Sequence, residues 1–375
     1  MKKQNFNLLV VLFTLCFTSA YSQLTLTPRA VDATCLSNDA LHPMPGTPYN
    51  YSITVPTPAG AKEYTWLVTQ DQNFITAPGT LTPTRETTSG NLLAATGTGY
   101  NIPSNATETL SLTWKSFIYD AARPVFVVVQ VRSAVTGACS PNNLKVFMIQ
   151  PINAFTLDIS NVGADKTTVS NFGIPIERCV SDIVSATFDA ASPQGVLYDY
   201  GIDYLYYIVS AANFSTSWRP SLKISGLDSK ETVTEVEWFR PTDTRFAAPE
   251  PMILTAGIYS ATNPVTALNS SGTVGAAGES ILIRVTIDHT NGANKYEGIT
   301  DETITLAVDG QTQLASTPIG DIHHSSTIPV ANPDCGKEDG FLYDVAIQTI
   351  KARPDIQSAT AAVPGPGIIP FLPVK

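Results

Sequence analysis

The chain has 375 residues, and 22 basic against 32 acidic residues give it a formal net charge of −10. This acidic balance, with no basic cluster to offset it, excludes charge-driven binding to nucleic acids and to anionic membranes. The length is sufficient for two domains, and a charged fraction of only 14% predicts a surface rich in Thr, Ser, Asn and Gly, as in many exported β-proteins.

Residues 1–22 are typical of a secretory signal peptide. Lys2 and Lys3 precede an apolar run, and the small residues Ala20 and Ser22 occupy the two positions that signal peptidase reads. We therefore expect cleavage before Gln23. The apolar run is too short to span a bilayer stably, and no other stretch approaches that length. The sequence predicts an exported protein, extracellular or periplasmic, without a transmembrane segment.

Strand-like runs separated by turn signals predict an immunoglobulin-like β-sandwich over residues 23–150. Its central feature is a β-hairpin whose first arm alternates only weakly, so we expect that arm in the middle of a sheet with both faces covered. A Thr/Gly/Pro-rich region over residues 76–99 is expected to form loops or weak edge strands. The predicted strands cover residues 24–27, 49–55, 63–68, 109–114, 125–131 and 144–149.

The same pattern, with longer strands, predicts a second and larger immunoglobulin-like sandwich over residues 151–354. We expect the runs at 280–286 and 299–308 to pair as a hairpin with a long polar loop between them. Residues 355–375 are expected to form an extended Pro/Gly-rich tail. The predicted strands begin at 155–159 and continue at 183–188, 202–209, 222–225, 233–239, 252–259, 281–287, 303–308 and 341–352.

Four cysteines remain after cleavage of the signal peptide: Cys35, Cys139, Cys179 and Cys335. An even number in an oxidising compartment predicts two disulfides, for which three connectivities are open. We favour Cys35–Cys139 and Cys179–Cys335, which put one bridge in each domain. No two cysteines lie within CxxC reach, which argues against a metal site. Trp66, between the first pair in sequence, is expected to be a core anchor.

Candidate catalytic and metal-binding residues each have a simpler structural interpretation. The adjacent pair His323 and His324 points apart on an extended backbone and chelates one metal poorly. Residues 288–297 carry oxygen donors around Gly292, but they lack the EF-hand spacing, and a hairpin tip explains them equally well. No G-x-S-x-G motif occurs. We expect no metal, no cofactor and no enzymatic activity, with a hydrolase that uses paired carboxylates as a remote alternative.

Five tyrosines form the one cluster that suggests carbohydrate binding. Coplanar exposed rings stack on sugars, but this segment is apolar on both faces, which favours a buried central strand. Trp218 and Trp238 are weaker candidates for ligand contact. The tyrosines are Tyr198, Tyr200, Tyr204, Tyr206 and Tyr207.

Several of these residues resemble PKD-like, immunoglobulin-type modules of large exported proteins in gliding bacteria. The resemblance covers about 120 residues well; it rests on Cys35, Tyr64-x-Trp66-x-Val68, Leu110-x-Leu112-x-Trp114, residues 125–132 with Gly137-Ala-Cys139, and, loosely, residues 335–340 and 344–354. It implies relatives among surface adhesins, matrix components and accessory parts of type IX secretion and gliding motility. The sorting domain usual in such proteins is not seen after Arg353.

Together, these observations predict an all-β protein of two tandem Ig-like (PKD-like) sandwiches with a structural or adhesive role. Its expected partners are other envelope or cell-surface proteins. Glycans, bound by the tyrosine-rich strand, are the alternative.

Overall fold

The computed structural model describes residues 24–356, except for gaps at 25, 28–38, 57–60, 82, 87–89, 91, 98–99, 101–106, 116, 118–119, 134–141, 153–154, 192–195, 215–216, 244–245, 267–277, 292–293, 315–316, 323–327 and 329–343. The described residues form strands, turns and bends, so the protein is all-β, as the sequence predicts. No helix in this part of the chain has the length and hydropathy needed to cross a bilayer. The expected signal peptide and C-terminal tail lie outside it.

The first part of the chain forms a small β-sandwich. Its strands β1, β6 and β5 make one antiparallel sheet, β2, β7 and β8 make the other, and β3 and β4 form a separate hairpin. The eight strands are β1 (Pro48–Ser52), β2 (Lys62–Thr69), β3 (Ile75–Ala77), β4 (Thr80–Leu81), β5 (Leu93–Thr96), β6 (Thr109–Trp114), β7 (Val125–Ser133) and β8 (Asn142–Ile149).

Aromatic and branched side chains from both sheets fill the core of this sandwich. Trp66 is fully buried and stacks on Phe147, while the indole nitrogen of Trp114 donates to the hydroxyl of Tyr51 at 2.9 Å. The predicted hairpin of β7 and β8 is confirmed, and β7 is the central strand of its sheet, as expected from its weak alternation. Trp66 is the core anchor that the sequence predicts.

Most of the remaining strands form a second and larger sandwich, and the others form two separate two-stranded hairpins. Ten strands of the sandwich follow one another along a single hydrogen-bonded sheet in the order β10-β24-β22-β14-β17-β16-β15-β19-β13-β9. The strands are β9 (Thr156–Val162), β10 (Ile176–Cys179), β11 (Ser185–Phe188), β12 (Val196–Asp199), β13 (Ile202–Ala212), β14 (Ser217–Ser225), β15 (Thr232–Phe239), β16 (Glu250–Thr255), β17 (Ile258–Ala261), β18 (Val265–Thr266), β19 (Glu279–Asp288), β20 (Thr290–Asn291), β21 (Asn294–Lys295), β22 (Glu302–Leu314), β23 (Thr317–Gly320) and β24 (Val345–Lys351).

This long sheet folds back on itself, so that its two halves face each other across one core. Strand β16 joins the halves, since its first two residues pair with β15 and the rest pair with β17, and β9 contacts β22 and β24 across the interior. Asn161 on β9 fixes this contact by donating to the carbonyl of Ile347 on β24 at 3.0 Å. The core contains Tyr207, Ile283 and Trp238 from one half and Leu222 and Leu306 from the other.

Two expected strand arrangements in this sandwich are wrong. Residues 252–259 form two strands rather than one, because Ala256 and Gly257 have φ angles of 52° and 82° and make a tight turn between β16 and β17. Positive φ at both central residues suits the right-handed twist of a hairpin. The strands at 279–288 and 302–314 do not pair with each other: β19 lies between β13 and β15, and β22 lies between β14 and β24.

The segment expected to open the first sandwich instead lies on the second. Leu24 and Leu26 are buried against Tyr206, Ile208 and Leu282, on the face of the β13–β19 sheet that points away from its core. The hydroxyl of Ser280 accepts from the backbone nitrogen of Leu26 and donates to its carbonyl, both at 3.3 Å. We call residues 24, 26 and 27 the N-terminal strap. The strap covers apolar surface that would otherwise face water.

The predicted disulfides lie mostly outside the described residues. Cys179 is exposed at the end of β10 and is the one cysteine among the described residues, since its expected partner Cys335 falls in a gap, as do Cys35 and Cys139. Both pairings therefore stay predictions, as does the domain boundary at residue 150.

Candidate functional site

A two-stranded hairpin at one end of the second sandwich exposes an unusual amount of apolar surface. Strands β11 and β12 pair antiparallel, with Phe188 opposite Val196 and Thr187 opposite Leu197. Phe188 is 82% exposed and Val184, just before β11, is 67% exposed; Ile183 and Leu197 are also exposed. Exposed apolar patches on soluble proteins mark interaction sites. We call residues 183–188 and 196–199 the apolar hairpin.

Side chains from two other segments anchor the base of this hairpin. The Arg353 guanidinium, just beyond β24, donates to the carbonyl of Ser181, four residues before β11, and to that of Tyr200, directly after β12. The same guanidinium lies 5.1 Å from the centre of the Tyr200 ring. Lys295 on β21 donates to the carbonyl of Tyr198. The hairpin therefore projects from a fixed base.

A fully buried histidine lies directly below that base. His289 follows β19, and its backbone nitrogen donates to the carbonyl of Gly201, the residue between β12 and β13. Its Nε2 lies 3.0 Å from Asp203 on β13, and its Nδ1 lies 2.6 Å from Glu231 in the loop before β15. Glu302, at the start of β22, accepts from the backbone nitrogen of Asp228 in that same loop. These side chains, which we call the histidine cluster, join four elements at one end of the sandwich.

The charges within this cluster shift two pKa values upward. Burial opposes the charge on His289, but the hydrogen bonds and the Coulombic attraction of Asp203 and Glu231 outweigh it and raise the pKa to about 9. Burial and the neighbouring Glu231 carboxyl raise the pKa of Glu302 to about 8. At neutral pH the histidine is therefore an imidazolium that donates from both nitrogens, and Glu302 is neutral.

This arrangement does not favour catalysis. A general base needs an accessible nitrogen, whereas both nitrogens of His289 face carboxylates and the side chain is fully buried. Among the described residues, no group of three or more His, Cys, Asp and Glu side chains has the geometry to hold a metal ion. The cluster instead pins the ends of β13, β15, β19 and β22 to one another.

The tyrosine platform, which was the less favoured interpretation of the sequence, does not form. Three of the five tyrosines, Tyr200, Tyr206 and Tyr207, are buried, and only Tyr204 is exposed. Tyr198 stacks on Tyr200, with ring centres 5.6 Å apart. The favoured interpretation of residues 202–209 as a buried central strand is confirmed, because β13 lies between β9 and β19. The sequence alone could not predict that the N-terminal strap covers the face of the sheet on which Tyr206 lies.

The other candidate residues are also structural. Trp218 and Trp238 are buried in the core of the second sandwich. The segment 288–297, considered as a calcium loop, forms the small hairpin of β20 and β21, and its His289 turns inward. His323 and His324 lie outside the described residues.

One polar cavity of about 610 Å³ opens on the first sandwich. It is lined by Asp71, Gln72, Asn73, Thr76 and Pro83 around the β3–β4 hairpin. Its lining offers a carboxylate, two amides and a hydroxyl.

Sequence analysis predicted a strand at 183–188 but missed the exposure of the apolar hairpin, and it missed the histidine cluster. The signal for the hairpin was present, since the apolar residues Ile183, Val184 and Phe188 lie between Asp182 and Asp189. The cluster gave no local signal. Its members lie 13 to 99 positions apart in the sequence, and only the sheet order brings Asp203, Glu231, His289 and Glu302 together.

Comparisons with known proteins give weak structural similarities alone. No protein-family model matches the chain, and no curated protein matches it either. The C-terminal domain of the AgI/II polypeptide BspA from Streptococcus agalactiae is 9% identical, with a TM-score of 0.20, over 75% of this chain and 94% of that one.

Two full-length major pilins give similar values. RrgB from Streptococcus pneumoniae is 8% identical with a TM-score of 0.24, over 72% of this chain and 46% of the pilin. SpaD from Corynebacterium diphtheriae is 10% identical with a TM-score of 0.19, over 67% of this chain and 56% of the pilin. We draw no conclusion about this chain from similarities of this size.

Proposed function

We propose that this chain is an exported, non-catalytic structural or adhesive protein that binds another protein of the envelope or cell surface through the apolar hairpin. The observation that carries the proposal is the exposure of Phe188 and Val184 on a hairpin with an anchored base. A large apolar side chain gains about 1.5–3 kcal/mol when it leaves water, so a few such residues supply a usable contact. The strand-rich fold and the predicted signal peptide support an extracellular role.

The charges around the hairpin indicate which kind of partner fits. Asp182, Asp189 and Asp199 flank its strands, and the whole chain carries a net charge of −10. The cations at the base, Lys295 and Arg353, are occupied by backbone carbonyls. A partner with an apolar contact surface and basic residues around it therefore matches the site in both hydrophobicity and charge.

Solid-phase binding with matched surface variants tests this proposal. The purified protein is immobilised, and binding of solubilised envelope proteins from the source cells is measured for wild type, F188S/L197S and I253S/L254S. Ile253 and Leu254 are each 54% exposed on β16 and serve as the control. We expect the hairpin variant to lose at least tenfold in binding and the control to keep it. Equal binding by both variants contradicts the proposal.

Carbohydrate binding stays a second candidate because of the polar cavity on the first sandwich. Its carboxylate and amide side chains suit the hydroxyl groups of a sugar. A glycan array with wild type and D71A/N73A tests it: selective binding that the substitutions abolish supports the candidate, and binding to no glycan removes it.

A further inference from the structure

We propose that the apolar hairpin binds its partner by strand addition: β11 pairs along its open edge with an extended, apolar segment of another protein that is flanked by Lys or Arg. This inference rests on the proposed function and specifies its partner. Strand addition uses backbone hydrogen bonds for affinity and alternating side chains for specificity.

The backbone of β11 has an edge available for such pairing. Among the described strands β11 pairs with β12 alone, and all four of its residues are exposed. An exposed strand edge presents unpaired N–H and C=O groups that act as a template for another strand. On the opposite strand, Lys295 already occupies the carbonyl of Tyr198. The open edge of the hairpin is therefore that of β11.

The side chains of β11 suit an apolar strand laid beside it. The strand reads Ser-Ala-Thr-Phe and carries no charge, no proline and no bulge. Natural proteins usually protect a free edge with an inward charge, a proline or a bulge. The edge lacks these devices along its length, and Val184 and Phe188 place large apolar groups at its two ends.

Charge selects a different protein over a second copy of this chain. Asp182 and Asp189 flank β11 on either side. An antiparallel copy would bring Asp189 of each strand towards Asp182 of the other, and a parallel copy would align each aspartate with itself. Like charges placed opposite each other destabilise strand pairing. A strand with basic residues at both ends instead meets one aspartate at each end.

A peptide-binding experiment tests the inference through the ligand backbone. Fluorescein-labelled peptides KVTVTVK and EVTVTVE, and KVTVTVK with N-methyl groups at every internal peptide nitrogen so that both of its edges are blocked, are titrated with the protein and followed by anisotropy. We expect KVTVTVK to bind at least tenfold more tightly than either other peptide. Its preference over EVTVTVE should weaken at 1 M NaCl, because salt screens the charges of the aspartates and lysines. D182N/D189N should reduce the preference over EVTVTVE to less than threefold, whereas the control D120N/E235Q should keep it.

The outcomes separate this inference from the proposed function. Equal binding of methylated and unmethylated peptides overturns strand addition, and if F188S/L197S still loses envelope binding, the proposed function stands without it. If the hairpin substitutions change neither envelope binding nor peptide binding, both the proposed function and strand addition are contradicted. The wild-type protein could also form a dimer in which the β11 amides are protected from hydrogen exchange and lose that protection when the dimer dissociates. That result would assign the edge of β11 to a second copy of this chain and overturn the choice of partner.

Discussion

The side chains of His289 and Glu231 are both fully buried, and Nδ1 of the histidine lies 2.6 Å from Oε1 of the glutamate. A buried ion pair of this kind adds little net stability, but removal of one partner strands the other charge in the interior. The pair joins the loop before β15 to the end of β19, directly below the apolar hairpin. The histidine cluster thus ties these elements together beneath the hairpin.

The stability contributed by the cluster is predicted to fall as the pH rises. The folded-state pKa values of His289 and Glu302, about 9 and about 8, lie above their ordinary values of 6.5 and 4.5. The folded protein therefore holds more protons than the unfolded chain between each pair of values. The contribution of Glu302 is complete below pH 4.5 and is lost as pH rises through 8; that of His289 is complete below 6.5 and is lost through 9.

Comparison with E302Q isolates this effect, because glutamine stays neutral throughout. We expect the Tm of wild type to fall relative to that of E302Q between pH 6 and pH 9, measured by calorimetry in buffers of constant ionic strength. A parallel pH dependence of the two proteins would show that Glu302 does not titrate in this range.

Removal of the histidine is predicted to destabilise the second sandwich strongly. H289N leaves Asp203 and Glu231 buried without their shared donor, which costs about 3–5 kcal/mol. The control is H42N, since His42 lies 3.1 Å from Asp39 on the surface, where an ion pair contributes about 0–1 kcal/mol. Urea unfolding measures both, and a cost for H289N no larger than that for H42N would contradict the assigned role.

The two core clusters are predicted to unfold separately. W66A removes a fully buried side chain from the first sandwich, and L205A does the same in the second; each substitution should cost about 2–5 kcal/mol. If residues 23–150 and 151–354 are independent domains, each variant lowers one of two calorimetric transitions and leaves the other unchanged. A single transition that both variants shift would reject the predicted boundary.

The N-terminal strap is predicted to stabilise the second sandwich modestly. Burial of Leu24 and Leu26 gains about 1.5–3 kcal/mol each, and part of this gain is offset by the conformational entropy that the strap loses when it is ordered. L24S/L26S should therefore lower the free energy of unfolding by about 1–3 kcal/mol, with the exposed T27S as the control. An unchanged unfolding midpoint would mean that the strap does not cover this face in solution.

The cysteine pairing is predicted to be Cys35–Cys139 and Cys179–Cys335. Peptide mapping without reduction checks it on protein secreted into an oxidising compartment. Bridges that close such long loops contribute about 4–5 kcal/mol in the chain-entropy model. A Cys35–Cys179 bridge would disprove the assignment of one disulfide to each domain.

Local sequence predicted the positions of the strands far better than it predicted which strands pair with each other. Alternation and β-branched residues placed β6 at Thr109–Trp114 and β2 at Lys62–Thr69 closely, because those signals reside within the strands. Sheet order depends on contacts between distant segments, so the expected pairing of 280–286 with 299–308 failed. The histidine cluster depends on that sheet order, so the sequence could not predict it either.

Exposure was equally hard to predict from local pattern. Tyr206 and Phe188 both lie on apolar strands, yet the first is buried beneath Phe246 and the N-terminal strap, while the second stands on a hairpin that no described element covers. A strand whose two faces are both apolar gives no indication of which face a remote segment covers. The sequence therefore indicated the tyrosines as a candidate binding surface, whereas the structure exposes the apolar hairpin instead.

Amide hydrogen exchange tests the role of the apolar hairpin most directly. Exchange is compared between the free protein and the protein bound to the envelope component that it captures. The account predicts new protection at residues 183–188 and 196–199 and none at the exposed control positions Ile253 and Leu254. Protection confined to other surfaces, with the hairpin amides exchanging as in the free protein, would contradict it.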